Sequence, residues 1–215
     1  GHETVRLVLR SPHRIVLDFT GQLSRVVANG QVVAATLVDG HLTIPQPATR
    51  AGENVIEIDF AAGDDALNRN EDFLYTLFVP ARAHLAFPCF DQPNLKARFA
   101  LTLQVPEGWQ AVANGVETGR GLDGITFAET APLPTYLFSF VAGRFQVETA
   151  TRNGRELRMF HREIDAAKVA RNRDAIFDLH ATALKWLEDY TALPYAFGKF
   201  DFVLIPDRKS TRLNS

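Results

Sequence analysis

The sequence predicts a mainly β protein, with a two-sheet antiparallel β-sandwich over residues 1–143 followed by the start of an α+β domain over residues 144–206. Three observations lead to this prediction. Apolar and polar residues alternate with a period of two in the first part, which is typical of strands with one buried face. Turn dipeptides recur between these segments. An apolar repeat of three to four residues, which indicates a helix, begins only after residue 165.

The alternation is clearest in three segments of the first part. Their apolar positions are Val5, Leu7 and Leu9; Ile56, Ile58 and Phe60; and Phe99, Leu101, Leu103 and Val105. Each segment therefore has one apolar face. Because a single sheet would leave that face in water, many short strands of this kind favour two packed sheets.

Asn-Gly and Asp-Gly dipeptides predict the hairpin turns, since these residues tolerate the positive φ that a tight hairpin needs. Asn29-Gly30 and Asp39-Gly40 are expected to flank a strand run from Val32 to Val38. Further turns are predicted at Asn114-Gly115 and Asp123-Gly124.

The second part begins with a hairpin about Asn153-Gly154. Asp165 is a suitable N-cap for a helix over residues 166–190. The apolar stripe of that helix is predicted at Ile176, Leu179, Ala183, Leu187 and Tyr190. Phe200 to Ile205 is predicted as a short strand. So few elements leave a sheet edge and one face uncovered, so residues 144–206 are interpreted as the incomplete start of a domain.

Composition excludes several classes of protein. Apolar residues make up 46% of the chain, charged residues make up 22%, and the net charge is −2. These values describe an ordinary globular protein and predict no nucleic-acid partner. No run of eighteen apolar residues predicts a membrane span. The single cysteine, Cys89, excludes an internal disulfide and is expected to be a buried, unreactive thiol. Neither the cellular compartment nor the oligomeric state is predicted.

The segment Phe87-Pro88-Cys89-Phe90-Asp91-Gln92-Pro93 follows no strand or helix pattern. Its two prolines fix φ and push the preceding residues out of the α region, which predicts a rigid corner. With this corner, the segments 68–80, 135–143 and 193–206 resemble the amino-terminal part of zinc aminopeptidases of the aminopeptidase N family. The resemblance covers nearly the whole chain.

The resemblance implies a saddle-like amino-terminal β-sandwich followed by a truncated thermolysin-like catalytic domain. It also implies a parent enzyme that uses Zn²⁺ to remove single residues from the free amino end of peptides. The family's G-x-M-E-N and H-E-x-x-H motifs do not occur in the sequence. No catalytic or metal-binding residue is therefore predicted, and the chain alone is expected to hydrolyse nothing. Residues 207–215 resemble a translated vector sequence and are expected to be a non-native tail.

Leu77 stands where the family usually carries a glutamine or glutamate that lines the pocket for the first side chain of the substrate. The resemblance implies an apolar pocket wall here, and the alternative is a strand residue packed in the core. The Val79-Pro80 bond is expected to be trans, because cis is uncommon before proline.

The sequence predicts structural roles for several other polar residues. Asp91 is expected to accept hydrogen bonds from its own turn or to pair with Lys96 or Arg98. His84 replaces a basic residue of the family, which leaves its salt link open. The cluster 68–72 is expected to order the strand that follows it.

His161 and Glu163 lie close in sequence, but two potential ligands do not complete a zinc site. Trp186, Tyr195 and Phe197 are interpreted as core residues or as interface residues near the missing catalytic half.

Two alternatives remain open at this stage. Residues 1–143 alone suit a stand-alone β-sandwich module that binds peptide or carbohydrate, because a fold does not fix a function. An inactive family member retained for interaction is the second alternative. The downstream reading frame distinguishes them, since it carries either the two zinc-peptidase motifs, a damaged zinc motif, or an unrelated sequence.

Overall fold

The computed structural model describes residues 1–205, and the predicted tail at 207–215 lies outside the described residues. Strands are the main regular structure of the described part, as predicted. Its strands are β1 (His2–Leu9), β2 (Ile15–Asp18), β3 (Gly21–Ala28), β4 (Gln31–Val32), β5 (Thr36–Val38), β6 (His41–Ile44), β7 (Gly52–Ala62), β8 (Leu67–Arg69), β9 (Phe73–Thr76), β10 (Lys96–Ala97), β11 (Leu101–Leu103), β12 (Gln110–Ala113), β13 (Glu117–Gly121), β14 (Gly124–Phe127), β15 (Leu133–Pro134), β16 (Phe140–Gly143), β17 (Gln146–Arg152), β18 (Arg155–His161) and β19 (Phe200–Val203). The α-helix is α1 (Ala166–Thr191), and short 3-10 helices lie at Gln46–Ala48, Ala83–Leu85 and Thr135–Leu137.

The chain divides into two compact units. The first contains residues 1–104 and 113–141, and the second contains residues 105–112 and the chain from residue 142 onward. No helix in the described part is both long enough and apolar enough to cross a membrane.

Two sheets pack together at the start of the first unit. One has the strand order β1-β7-β3-β4 and the other the order β2-β6-β5, with antiparallel neighbours in both. Their shared core contains Ile15, Leu17, Val26, Ala28, Leu42, Ile44, Ile56 and Ile58. Because these side chains come from β2 and β6 of one sheet and from β3 and β7 of the other, two packed antiparallel sheets are present, but they comprise only strands up to residue 62. The later strands of residues 1–143 belong to other sheets, so the predicted single pair of sheets does not extend over the whole segment.

The turns predicted at Asn29-Gly30 and Asp39-Gly40 have the backbone that their sequences require, whereas Asn114-Gly115 has no positive φ and lies between strands that do not pair. Asn29 and Gly30 have φ of 52° and 83°, and Asp39 and Gly40 have φ of 50° and 79°. Each pair separates two antiparallel strands by two residues. Positive φ at both central positions is the mark of a type I′ turn, whose twist matches that of the flanking strands.

The run from Val32 to Val38 is not one strand, and that expectation was wrong. Its start belongs to β4, which pairs with β3, whereas its end belongs to β5, which pairs with β6 in the other sheet. The segment therefore crosses between the layers. Two short strands belong to two different sheets here. Because the sequence from Val32 to Val38 is mainly apolar, it does not show where the first strand ends.

An aromatic cluster forms a second core in the first unit. Phe99 and Phe138 stack with ring centroids 4.3 Å apart, and Phe78 and Phe87 meet edge to face at 5.8 Å. The chain enters this cluster through Val79-Pro80, whose peptide bond is cis. The expected trans bond was therefore wrong. Because the two X-Pro isomers differ by only about 0.5–1 kcal/mol, the tertiary surroundings decide between them.

The second unit contains the sheet β17-β18-β19, with β17 antiparallel and β19 parallel to β18. The turn at Asn153-Gly154 and the cap at Asp165 are as predicted: the Asp165 carboxylate accepts a hydrogen bond from the Lys168 N–H at 3.1 Å. Phe177 contacts Phe202 edge to face at 5.6 Å and is fully buried.

The buried face of α1 differs from the predicted stripe. Phe177, Ala181 and Leu184 are buried, whereas Leu179 and Tyr190 are 67% and 76% exposed. The sequence contains two apolar stripes on one helix. Spacing alone could not reveal which stripe meets the sheet.

Candidate functional site

The proline corner is held against β2 by its backbone. The Asp18 N–H donates to the Cys89 carbonyl at 2.7 Å, and the Cys89 N–H donates back to the Asp18 carbonyl at 3.0 Å. This pair makes an isolated antiparallel bridge. Prolines on both sides leave few N–H groups for pairing, so the corner joins the sheet at this one point.

Asp91 is the centre of a buried hydrogen-bond network beside the corner. One carboxylate oxygen accepts from the Thr135 hydroxyl at 2.6 Å. The other lies 2.7 Å from His84 Nδ1 and accepts from the His84 N–H at 3.3 Å. The side chain of Asp91 is only 5% exposed. Buried carboxylates are tolerated in proteins when they are paired in this way.

These contacts revise the expected partners of Asp91. Arg98 lies 3.7 Å from Glu129 instead, and the imidazole of His84 takes the place predicted for Lys96 or Arg98. His84 therefore makes the salt link that the sequence left open. The structural interpretation of Asp91 agrees with this geometry, but its partners come from a different element and from far along the chain.

Asp18 forms a second histidine–carboxylate pair next to the first. Its Oδ1 lies 3.2 Å from His41 Nδ1, and its Oδ2 accepts from Gln92 Nε2 at 2.9 Å and from the Asp91 N–H at 3.2 Å. Both pairs line a pocket of about 390 Å³, whose walls are Asp18, Thr20, Asp39, Gly40, His41, Ala81, His84, Asp91 and Gln92. Asp18 and Asp91 both accept hydrogen bonds from groups of the protein itself. This arrangement therefore favours a structural role, which holds the corner in place, over proton transfer.

Cys89 is buried beside this network. Burial raises the pKa of its thiol, and the nearby carboxylates of Asp91, Glu3 and Asp18 raise that pKa further. A thiol becomes a nucleophile or metal ligand only as the thiolate. The expected inert cysteine is therefore confirmed.

Leu77 follows β9 directly and is 45% exposed. Its N–H donates to the Ala66 carbonyl at 2.9 Å, which fixes its backbone. Val79, two residues later, is 55% exposed. This exposure speaks against the core-packed alternative, and it leaves the Leu77 side chain available for contact with another surface.

The polar cluster at 68–72 orders the start of β9. The Asn70 side-chain oxygen accepts from the Asp72 and Phe73 N–H groups, both at 2.9 Å. Arg69 pairs with Asp64 at 3.3 Å. These contacts match the predicted structural role, because an asparagine that caps its own turn needs no ligand.

The described residues do not fit a zinc site. Among residues 1–205 no group of three or more His, Cys, Asp or Glu side chains is placed to hold a metal ion. His161 and Glu163 interact locally, since the Glu163 N–H donates to His161 Nδ1 at 3.2 Å. The Glu163 carboxylate in turn accepts from the Ile164 and Asp165 N–H groups, both at 3.1 Å.

Asp201 ties the parallel strand β19 to its neighbour β18. Its carboxylate is bidentate with Arg158, at 2.8 and 2.7 Å, and lies 2.7 Å from Lys199 Nζ. Burial opposes ionisation of Asp201, but the hydrogen bonds from Arg158 and Lys199 outweigh it and lower the pKa of the carboxyl group. Arg158, Lys199 and Asp201 therefore form a structural cluster of two cations and one anion.

Comparison with known proteins shows which family and which relatives this sequence resembles. Residues 64–137 match the peptidase M1 N-terminal domain. Aminopeptidase M1-A of Oryza sativa subsp. japonica is 34% identical over 137 residues, which are 61% of this chain and 15% of the relative. Aminopeptidase M1-B of the same organism is 31% identical over 73% of this chain and 19% of its own length. Glutamyl aminopeptidase of Mus musculus is 32% identical over 60% of this chain and 14% of its own length. The chain thus spans less than a fifth of the length of these curated relatives.

Proposed function

Because this chain carries the amino-terminal domain of the peptidase M1 family, we propose that it is the amino-terminal part of an enzyme that removes single residues from the free amino end of peptides. The observation that carries this proposal is the match over residues 64–137, which contain the proline corner and Phe78, Phe87 and Phe99 of the aromatic cluster. Relatives named aminopeptidases share this region. In this proposal, residues 1–143 are the β-sandwich and residues 144–206 begin the catalytic domain.

We further propose that the parent enzyme depends on Zn²⁺. The described residues do not fit such a site, so the ligands lie outside residues 1–205. The role left to this part is to position surfaces around the substrate. The His84–Asp91 and His41–Asp18 pairs suit that role, because their hydrogen bonds fix the corner in place.

An exposed apolar face on α1 supports the proposed continuation of the second unit. Trp186 and Tyr190 stack at 5.1 Å, and they are 60% and 76% exposed. Leu187 is 49% exposed on the same helix. Contiguous exposed apolar surface of this kind marks an interface. In the proposed function, a further part of the catalytic domain covers this face of α1.

The activity is tested on two proteins made in parallel, the 215-residue chain and the longer protein encoded by its gene. We expect the longer protein to hydrolyse an aminoacyl chromogenic substrate and to lose that activity on treatment with a zinc chelator. The 215-residue chain is expected to give no turnover above that of a mock purification. Turnover by the short chain, or a downstream sequence without the zinc-peptidase motifs, contradicts the proposal.

Leu77 is proposed as an apolar wall of the pocket for the first substrate side chain. Its 45% exposure and fixed backbone support this role. In the longer protein, Leu77→Glu is expected to lower kcat/KM for a leucyl substrate relative to an arginyl substrate by about thirtyfold, because one lost apolar contact and one new charge each change binding by about 1 kcal/mol.

Leu122→Glu provides the matched control, since Leu122 lies in a turn and its side chain is fully exposed. This control variant is expected to leave the substrate ratio unchanged. If the Leu77→Glu variant has the same leucyl-to-arginyl ratio of kcat/KM as the unmodified longer protein, Leu77 does not line the pocket. The activity assay of the unmodified longer protein is not affected by that result.

A further inference from the structure

Glu3 is an acidic residue on the apolar face of an edge strand. In β1 the even-numbered residues from His2 to Val8 are exposed, and the odd-numbered ones from Glu3 to Leu9 are partly buried. Val5, Leu7 and Leu9 pack against the core of the sandwich. Because side chains alternate along a strand, Glu3 shares this inward face.

The carboxyl group of Glu3 has an inaccessible oxygen without a hydrogen-bond partner. Oε1 is buried and accepts no hydrogen bond within the described residues. The cations of β1 lie on the opposite face, where His2 is 2.7 Å from Asp59 and Arg6 is 3.5 Å from Glu53. Burial alone raises the pKa of Glu3 to about 8. Burial therefore favours the neutral form of Glu3.

The groups within electrostatic range of the nearby Cys89 thiol are Asp91, Glu3 and Asp18. Asp91 and Asp18 are paired with His84 and His41 respectively. Ionisation of Glu3 would leave a carboxylate oxygen without a hydrogen-bond partner in this partly buried region, which is unfavourable.

The position of β1 allows it to respond. β1 lies at the edge of the sheet β1-β7-β3-β4 and pairs with β7. Its detachment breaks one ladder and leaves the β7·β3 ladder intact. Local openings of this kind at element edges need less free energy than global unfolding.

We propose that Glu3 is a pH-sensitive latch, which holds β1 on the sandwich as a neutral acid and loosens β1 as a carboxylate. The sign follows from proton linkage. In the open strand Glu3 has the ordinary pKa of about 4.3, and in the closed strand its pKa is about 8. Between these values the open form binds fewer protons, so rising pH favours opening by up to about tenfold per pH unit until it levels off near pH 8.

The lone thiol serves as the reporter, because Glu3 lies within electrostatic range of Cys89. The labelling rate of Cys89 by a thiol reagent is measured from pH 5 to pH 10 in the 215-residue chain and in its Glu3→Gln variant. The ratio of the two rates is expected to rise between pH 5 and pH 8 and to be constant above pH 8. A direct electrostatic effect of Glu3 on the thiol has the opposite sign, because a nearby carboxylate suppresses the thiolate.

Two controls separate the latch from other effects. Glu53→Gln removes an exposed carboxyl group on β7 and is expected to keep the pH profile of the unmodified chain. Amide hydrogen exchange is expected to accelerate with pH in β1 but not in β3.

The latch is wrong if the Glu3→Gln variant keeps the pH dependence of the unmodified chain, or if exchange accelerates equally in β1 and β3. The Glu3 carboxyl carbon is also titrated by NMR in the unmodified chain, so this test does not depend on whether a variant folds. A midpoint near 8 supports the latch, and one near 4.3 overturns it.

Discussion

At the scale of single residues, the corner around Cys89 depends on a buried carboxylate, Asp91, and a half-buried one, Asp18, each with a partner distant in sequence. Asp91 bonds Thr135 across 44 positions, and Asp18 bonds Gln92 across 74. Each bond links separate segments of the first unit. A charged hydrogen bond out of water contributes about 1.5–3 kcal/mol, and loss of one partner leaves the other unsatisfied.

We predict that Asp91→Asn lowers the free energy of unfolding by about 2–3 kcal/mol, because it removes the charge that accepts from Thr135 and His84. Urea denaturation followed by circular dichroism measures the change. Asp64→Asn is the matched control, since Asp64 is 58% exposed and pairs with Arg69 on the surface. Such pairs contribute about 0–1 kcal/mol. Equal effects of the two substitutions would contradict a structural role for the Asp91 network.

At the scale of elements, the hairpins are specified by their turns, and the turn at Asn29 is also anchored to its neighbours. Asn29 Nδ2 donates to Asn54 Oδ1 and to the Ala48 carbonyl, both at 3.0 Å. The Asn29 side-chain oxygen accepts from the Val55 N–H at 3.1 Å. The turn residue therefore also connects β7 and the 3-10 helix at Gln46–Ala48.

Gly30 provides a test of the backbone requirement. Its φ is 83°, and a Cβ at this position would meet no atom within 4 Å. Gly30→Ala is therefore expected to cost about 1 kcal/mol of unfolding free energy from backbone strain alone.

Gly119→Ala is the control for Gly30→Ala, since Gly119 also has open space around it but lacks a positive φ. The control is expected to change stability by less than about 0.5 kcal/mol. Thermal unfolding of both variants measures the difference. Equal stabilities would show that the type I′ geometry is not required.

At the scale of the whole molecule, the second unit presents apolar surface that its own sheet does not cover. The buried stripe of α1 contacts β17–β19 through Phe177, while Trp186 and Leu187 are exposed. An isolated small unit is expected to bury such residues. Their exposure is consistent with the proposal that a larger domain surrounds this helix in the parent protein.

We predict that Trp186 is accessible to acrylamide in the 215-residue chain and protected in the longer protein. In the 215-residue chain, Trp109→Phe removes the emission of the other tryptophan, which is 8% exposed, so fluorescence quenching then reports Trp186 alone. In the longer protein, the difference between the unmodified protein and its Trp186→Phe variant isolates the signal of the same residue. The longer protein is expected to show weaker quenching and emission at shorter wavelength. Identical quenching in the two proteins would mean that nothing covers this face of the helix.

The sequence determined the local features of this protein: the strands, the type I′ turns, the cap at Asp165 and the unreactive Cys89. Each of these follows from residues close together in the chain, through side-chain alternation, positive φ or hydrogen bonds to nearby N–H groups. The resemblance in the proline corner and its flanks also identified the family, which the match over residues 64–137 supports.

Only the tertiary structure decided which of two apolar stripes on α1 is buried, where the run from Val32 to Val38 changes sheets, and that Val79-Pro80 is cis. It also decided that His84 and Thr135 are the partners of Asp91, and that Glu3 lies on an inward face. The physical reason is the same in each case. Packing against distant segments adds free energies of a few kcal/mol, which exceed the small local preferences that a sequence pattern expresses.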